Sequence, residues 1–438
     1  MKRVAVSLIL LASALTAGAQ TKLTLQEALN RALQVNNTVE RSRVEVDVAE
    51  QNRKLLLSSI LPQVNLTGST IENSKEVSFG SGADARTILP ATDWNYRVVL
   101  SQPVYAGMRE KRAYDQAKIG ITNAKQGVLG TEDAVLLRVA SNYLGVANAE
   151  ANMAIEQRNI ELAEKRKTQS NAFYQAGEVT KVDVLRAETA IKSAQRLLAS
   201  AQQQREAAES ALRADLDLSG DIVVASPDPS LAPLPDEQTL VSKAEAVRPD
   251  VAIAQNNIRI AELEIQKQRG AYLPVVTFDA GYIDQKAAFP ASRYGYGAFR
   301  FTVPIWQSGQ VASRVATAKE RELQARLLLE DAKTAAREDV HRAITDLHAA
   351  DTTLQLAKEQ LAAAEAEYAQ VFELYRAQES TSLDLASSEV SLADARRAVA
   401  AETLNHNVAQ LRVWYAAGAI KEAVGAGTTG RAVGATQR

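Results

Sequence analysis

His341 and His348 stand seven residues apart, a spacing that puts both imidazoles on one face of a helix and invites the idea of a metal site. Two imidazoles need further ligands, and no carboxylate cluster accompanies them. They read instead as solvated or interhelical positions, and so does His406. The chain has no cysteine, which removes thiolate ligands, thiol nucleophiles, disulfides and a lipid-modified N-terminal Cys. It has no glycine-rich phosphate loop and no nucleophile elbow. The reading is therefore not an enzyme, with no cofactor and no metal. Nucleic acid is not expected either, because Lys and Arg number 50 against 52 Asp and Glu, and no basic run is present.

The charged residues that stand out do so by recurrence. Tyr174-Gln175-Ala176-Gly177-Glu178-Val179-Thr180-Lys181-Val182-Asp183 returns 201 positions later as Tyr375-Arg376-Ala377-Gln378-Glu379-Ser380-Thr381-Ser382-Leu383-Asp384. Thr180 and Thr381, three residues before Asp183 and Asp384, read as helix caps, with the carboxylates in the favourable first turn. Gln102-Pro103-Val104-Tyr105 returns as Val303-Pro304-Ile305-Trp306 at the same offset, and Leu61-Pro62 returns as Leu273-Pro274, shifted by 212. The chain is one unit written twice.

Each copy runs helix, strand pair, very long helix, return helix. An amphipathic helix over 23–36, capped by Thr24 with Glu27 three residues on, precedes a second helix over about 37–61. Strands are expected at 62–73 and 93–103, around a polar loop at about 74–91, and again at 274–284 and 294–304. Their alternation leaves one apolar and one mixed face, with Arg97 and Arg300 on the polar side. Each strand has the length that a tilted strand needs to cross hydrocarbon. Trp94, Tyr105, Tyr272, Tyr282 and Trp306 fall near strand ends, where interface aromatics lie.

Proline-free stretches at 107–172 and 307–372 predict rods on the order of 100 Å. Their apolar residues recur at coiled-coil spacing, as Leu136, Val139, Tyr143, Val146, Met153 and Ile160, and as Val340, Ile344, Leu347, Leu354 and Leu361. Return helices are expected at 180–216 and 381–417. The repeats thus span 20–220 and 237–417, joined by a proline-rich linker at 221–236 that forms an irregular belt. The glycine-rich tail from 418 to 438 reads as disordered.

Residues 1–19 have the basic start, the apolar stretch and the small-residue Ala17-Gly18-Ala19 site of a cleaved signal peptide. No later segment is apolar enough for a membrane helix, so a membrane crossing would have to be a β-barrel. Four strands cannot close one, and several chains must share it. The economical answer is a trimer with twelve strands.

In this order and in duplicate, these features resemble the TolC-like outer-membrane efflux proteins over residues 23–417. The resemblance implies a mainly α fold with a transmembrane β-barrel. It implies a homotrimer with a coiled-coil tunnel in the periplasm and its barrel in outer-membrane lipid. It also implies docking onto a periplasmic adaptor (membrane fusion protein) and an inner-membrane transporter, in a tripartite efflux pump or type I secretion system. The channel would be passive. The turns Gly177, Glu178, Thr180 and Gln378, Glu379, Thr381 would be docking sites, and Asp183, Asp384, Tyr375, Ser380 and Ser387 would lie at the periplasmic aperture. Ser380 and Ser387 depart from the family's basic and acidic gate residues, and Gln378 from its turn glycine. The alternative reading is a periplasmic coiled-coil adaptor or scaffold without a pore, in which the strands would be a soluble hairpin.

Overall fold

The computed structural model describes residues 21–80, 82, 86–220, 222–225, 231–286 and 291–425. The expected signal segment at 1–19 lies outside the described residues, as do positions 226–230 of the linker and 426–438 of the tail. The chain divides into two compact units, each built from both repeats. One comprises the chain up to Glu40, Glu132–Ala244 and the chain from Glu338; the other comprises Arg41–Thr131 and Glu245–Arg337.

The first unit is helical. Helix α1 (Leu25–Val35) begins at a capping box in which Thr24 and Glu27 satisfy each other's backbone. Its Ala28, Leu29 and Ala32 meet Leu136, Val139, Tyr143 and Val146 of α3 (Arg109–Gln175) and Leu212 and Leu216 of α4 (Lys181–Leu216). These side chains are buried because their heptad spacing turns them all to one face. The Tyr143 hydroxyl, buried with them, donates to the Leu23 carbonyl at 3.0 Å.

Two expectations change here. The linker is not wholly irregular: β6 (Ile222–Val224) pairs in parallel with β1 (Thr21–Leu23), because Ile222 and Val224 need the same core. The tail does not become disordered at Gly418. Helix α9 (Ile420–Ala423) follows α8 (Ser382–Ala416), and Ile420 is fully buried beside Leu411 and Trp414. Lys421 reaches back to Glu132 at 2.7 Å and Asp133 at 3.8 Å.

Burial, with Glu132 adding repulsion and Lys421 opposing, raises the Asp133 carboxyl to about 6. A raised folded-state value favours the folded form below the ordinary carboxylate range and loses that advantage as pH rises through about 6. Asp133→Asn should therefore flatten the dependence of thermal stability on pH between 4 and 6, and stabilise at pH 8 by on the order of 2 kcal/mol. Melting curves at pH 5 and pH 8 check this, and an unchanged pH dependence contradicts it.

The second unit contains α2 (Asn37–Ser58) from Arg41 on, α5 (Glu237–Val247) from Glu245 on, and α6 (Pro249–Arg269). It also holds the outer part of α3, the first part of α7 (Gln310–Arg376) and the strands. Strands β2 (Gln63–Glu72), β5 (Thr92–Ala106), β7 (Val275–Gln285) and β8 (Arg293–Thr302) form one antiparallel sheet in the order β2-β5-β7-β8. The outer edges of β2 and β8 have no strand partner among the described residues. The expected polar loop at 74–91 contains a small hairpin, β3 (Val77–Phe79) with β4 (Arg86–Leu89).

Strand ends also differ between the copies. β5 runs on to Ala106 against β7, whereas β8 stops at Thr302, and among the described residues no strand pairs with 303–306. The long helices start two and three residues later than expected, at Arg109 and Gln310. Each strand–helix joint passes through two left-handed residues, Gly107-Met108 and Ser308-Gly309. No helix among the described residues is long and apolar enough to cross a membrane.

Candidate functional site

The recurring turns end the two helical hairpins, α3–α4 and α7–α8, within the helical unit. Asp183 Oδ2 accepts from the Thr180 amide at 3.2 Å and from its hydroxyl at 3.0 Å. Asp384 Oδ2 accepts from the Thr381 amide at 3.0 Å and hydroxyl at 2.7 Å, while the Asp384 amide donates to Thr381 Oγ1. Both carboxylates thus close capping boxes. Their acidity follows. The Ser382 hydroxyl above all, then Thr180 and Arg186, hold Asp183 below the usual carboxylate range, and Thr381 does the same for Asp384. Both stay ionised at neutral pH. Gln378 takes the left-handed conformation of its counterpart Gly177, so the turn geometry survives the change of residue type. That conformation costs a non-glycine residue about 1–2 kcal/mol.

The two turns of one chain touch. Ser382 donates to Asp183 Oδ1, and the Gln378 amide donates to Glu178. Behind them the Tyr375 hydroxyl lies 3.2 Å from Ser170 Oγ, with its ring edge-on to Phe173 at 5.8 Å. Tyr375 is only 3% exposed and joins the two hairpins within the chain. Glu178, Thr180, Gln378, Glu379, Thr381, Asp384 and Ser387 are exposed, and Ser380 is half-buried against Asp384. Tyr174, Val182, Leu185 and Leu383 add exposed apolar surface to the same turns.

Farther from the turns two charge pairs join α3 to α8. Arg166 Nη1 donates to Glu389 Oε2 at 2.6 Å, and their side chains are 5% and 13% exposed. Arg397 donates to the buried Glu156 at 2.7 Å. Burial pushes Glu389 up, and Arg166 opposes it. The apolar-seam reading missed these residues. It placed Met153 and Ile160 in the seam, but both are half-buried, whereas Glu156, Ala163 and Ser170 are the buried positions. Their own seven-residue spacing was the available signal.

The histidines pair singly, His341 with Glu237 at 3.0 Å and His406 with Asp351 at 2.8 Å. Among the described residues no group of three or more ligands converges.

On the sheet the larger apolar residues gather mostly on one face. Val64, Leu66, Tyr96, Val98, Phe278, Tyr282, Phe299 and Phe301 share one face by register, and most are exposed, Phe301 at 75%. The opposite face carries Asn65, Thr67, Arg97, Ser101, Asp279 and Arg300. There Arg300 Nη2 lies 3.3 Å from Asp279, which also accepts from Ser101 at 2.7 Å. The apolar face is left exposed instead of being packed on a core, unlike that of a soluble hairpin.

The comparisons agree with this arrangement. The family described as outer membrane efflux protein matches residues 28–216 and 240–419. Outer membrane efflux protein BepC of Brucella suis is 22% identical over 400 residues, 89% of this chain and 84% of its own length. The solved CusC channel shares the fold with a TM-score of 0.78 at 17% identity, covering 92% of this chain and 95% of that one. The open state of the Neisseria gonorrhoeae MtrE outer membrane channel does so with a TM-score of 0.75 at 20% identity, over 91% and 90%. Two helix–strand–helix repeats, both spanned by the family match and joined through one sheet with an exposed apolar face, make this chain a member of the outer membrane efflux protein family.

Proposed function

We propose that the chain is the passive exit channel of a tripartite efflux pump or type I secretion system. Three copies close a twelve-stranded barrel in the outer membrane, and their helices form the periplasmic conduit. The observation that carries this reading is the sheet. Its apolar face is exposed, and among the described residues both its edges lack a strand partner, which hydrocarbon does not tolerate. Joining copies edge to edge satisfies every ladder and turns Arg97 and Arg300 to the lumen. The chain contributes no chemistry. Energy enters through the inner-membrane transporter, and a periplasmic adaptor meets the exposed turns at Gly177–Thr180 and Gln378–Thr381. Residues 1–19 serve export and are removed, and without cysteine the mature chain carries no lipid anchor. Asp183, Asp384, Ser380 and Ser387 line the periplasmic aperture, with Tyr375 holding the hairpins together behind them.

Purification checks this directly. The expected product is a heat-modifiable, detergent-requiring trimer in the outer-membrane fraction that conducts in planar bilayers; a soluble monomer released by osmotic shock contradicts the reading. Ion selectivity provides a finer test. Because Arg300 lies beside Asp279, its charge is partly compensated, and the lumen is less biased toward anions than two bare arginines would make it. Arg300→Ala leaves Asp279 without that cation and should shift the reversal potential toward cation selectivity. An unchanged potential would place the pair off the conduction path.

A further inference from the structure

The duplication builds one groove twice within the strand-bearing unit. In the first repeat Asn52 and Leu56 of α2, with Ala113, Gln116, Ala117 and Gly120 of α3, line a groove of 390 Å³. In the second, α6 and α7 form one of 460 Å³ lined by Glu264, Gln268, Arg314, Thr317, Ala318 and Arg321. These are the same six positions, shifted by 212 on the shorter helix and by 201 on the longer one. The backbone is shared and the chemistry is not. Arg314 stands where the first repeat has Ala113, and Arg321 where it has Gly120. A Cβ added at Gly120 would meet open space, so the joint between the helices needs neither guanidinium for packing.

Nor do these two arginines serve ion pairs inside the chain. Arg326, Arg337, Arg342 and Arg376 of the same helix each reach a carboxylate. Arg314 and Arg321 reach none among the described residues, and residues 307–319 contain no acid. Glu264, the carboxylate in the groove wall, is already engaged by Lys267 at 2.5 Å and by Gln116 at 3.0 Å.

We propose that the groove between α6 and α7 binds a phosphate-bearing anion through the guanidinium forks of Arg314 and Arg321. Their seven-residue spacing places both on one face, about 10 Å apart along the axis. Helical side chains lean toward the N-terminus, so Arg321 reaches back toward Arg314. Each fork offers parallel charged donors that match phosphate oxygens, and Gln310 and Ser313 add neutral donors to the same groove.

The level of the groove favours a phospholipid headgroup as the source, a point that rests on the outer-membrane reading above. Ile305 and Trp306, just before α7, are 93% and 85% exposed and suit the edge of the hydrocarbon. Arg314 follows Gln310, the first residue of α7, by about 6 Å of helix rise, roughly the depth of a headgroup layer.

Native mass spectrometry of the full-length protein in detergent reads the site, with phosphatidylglycerol, phosphatidylcholine and inorganic phosphate titrated separately. Phosphatidylglycerol should bind roughly ten-fold more tightly than phosphatidylcholine, and Arg314→Gln with Arg321→Gln should erase that preference. In the reverse direction, Ala113→Arg with Gly120→Arg should double the phosphatidylglycerol bound per chain. Arginine-dependent retention of inorganic phosphate without a lipid preference would support the anion site and overturn the lipid source. Equal binding by wild type and the glutamine variant overturns the site. Loss of the trimer in that variant also overturns it, because the arginines would then serve the joint between copies. A wild-type protein that forms no trimer overturns the barrel reading instead, so the two failures are told apart.

Discussion

Gly270→Ala is expected to abolish the folded protein in the outer membrane, the largest effect of any single methyl group in this chain. A Cβ at Gly270 would lie 2.2 Å from the Gly107 carbonyl oxygen, and a Cβ at Gly107 would lie 2.0 Å from the Gly270 carbonyl oxygen. The obstacle in each case is backbone, so no side-chain rotation relieves it. Gly107 also has φ +64°, where a side chain is strained regardless of space. The two glycines cross where β5 passes into α3 and where α6 passes, through the turn Gly270–Tyr272, into β7. Separating them by the required ångström or more would displace both strand–helix joints together. The cost exceeds about 4 kcal/mol, in the range reserved for backbone strain and overpacking. Gly120→Ala is the control. It lies within α3 with nothing within 4 Å of an added Cβ, and should be neutral or stabilising by up to about 1 kcal/mol. Trimer yield and melting temperature of the two variants decide the matter, and normal trimers of Gly270→Ala would contradict the crossing.

Arg166→Ala should cost about 3–5 kcal/mol, because it leaves the Glu389 carboxylate buried without its cation. Burial already raises Glu389, and loss of Arg166 raises it further. The sign follows: protonation relieves the variant, so its deficit relative to wild type is largest at alkaline pH and shrinks as pH falls. Arg166→Met with Glu389→Leu removes both charges, fills the space, and should return most of the stability. Conductance adds a functional readout. The pair joins the first hairpin to the second next to the Ser170–Tyr375 contact, so the single variant should loosen the turns and raise single-channel conductance. The double variant should conduct as wild type does. Equal conductance in all three proteins would show that this contact does not restrain the aperture.

Several features of the molecule are legible in the sequence, because they are periodic. A two-residue period produces a sheet face, a seven-residue period a helix seam, and the offsets of 201 and 212 a duplication; each repeats often enough to be read. The Thr24, Thr180 and Thr381 caps were readable for a related reason: a cap and its carboxylate lie three residues apart, so the contact is local. The misreadings are contacts between distant segments. Composition made 418–425 look like a loose tail, yet Ile420 fills a core made by α1, α3 and α4. Glu156, Arg166 and Glu389 look like solvent-facing charges along the chain, and become buried pairs only when α8 lies against α3.

Sequence alone determined the local periods, the duplication and the residues that face one way or the other, since these follow from steric geometry within a few residues. Tertiary structure decided which of those faces meet. It set the order β2-β5-β7-β8, the crossing of Gly107 with Gly270 and the cross-repeat contacts of the two turns. Such contacts depend on the free energy of bringing together segments about 160 to 220 residues apart, and no short-range pattern encodes that sum.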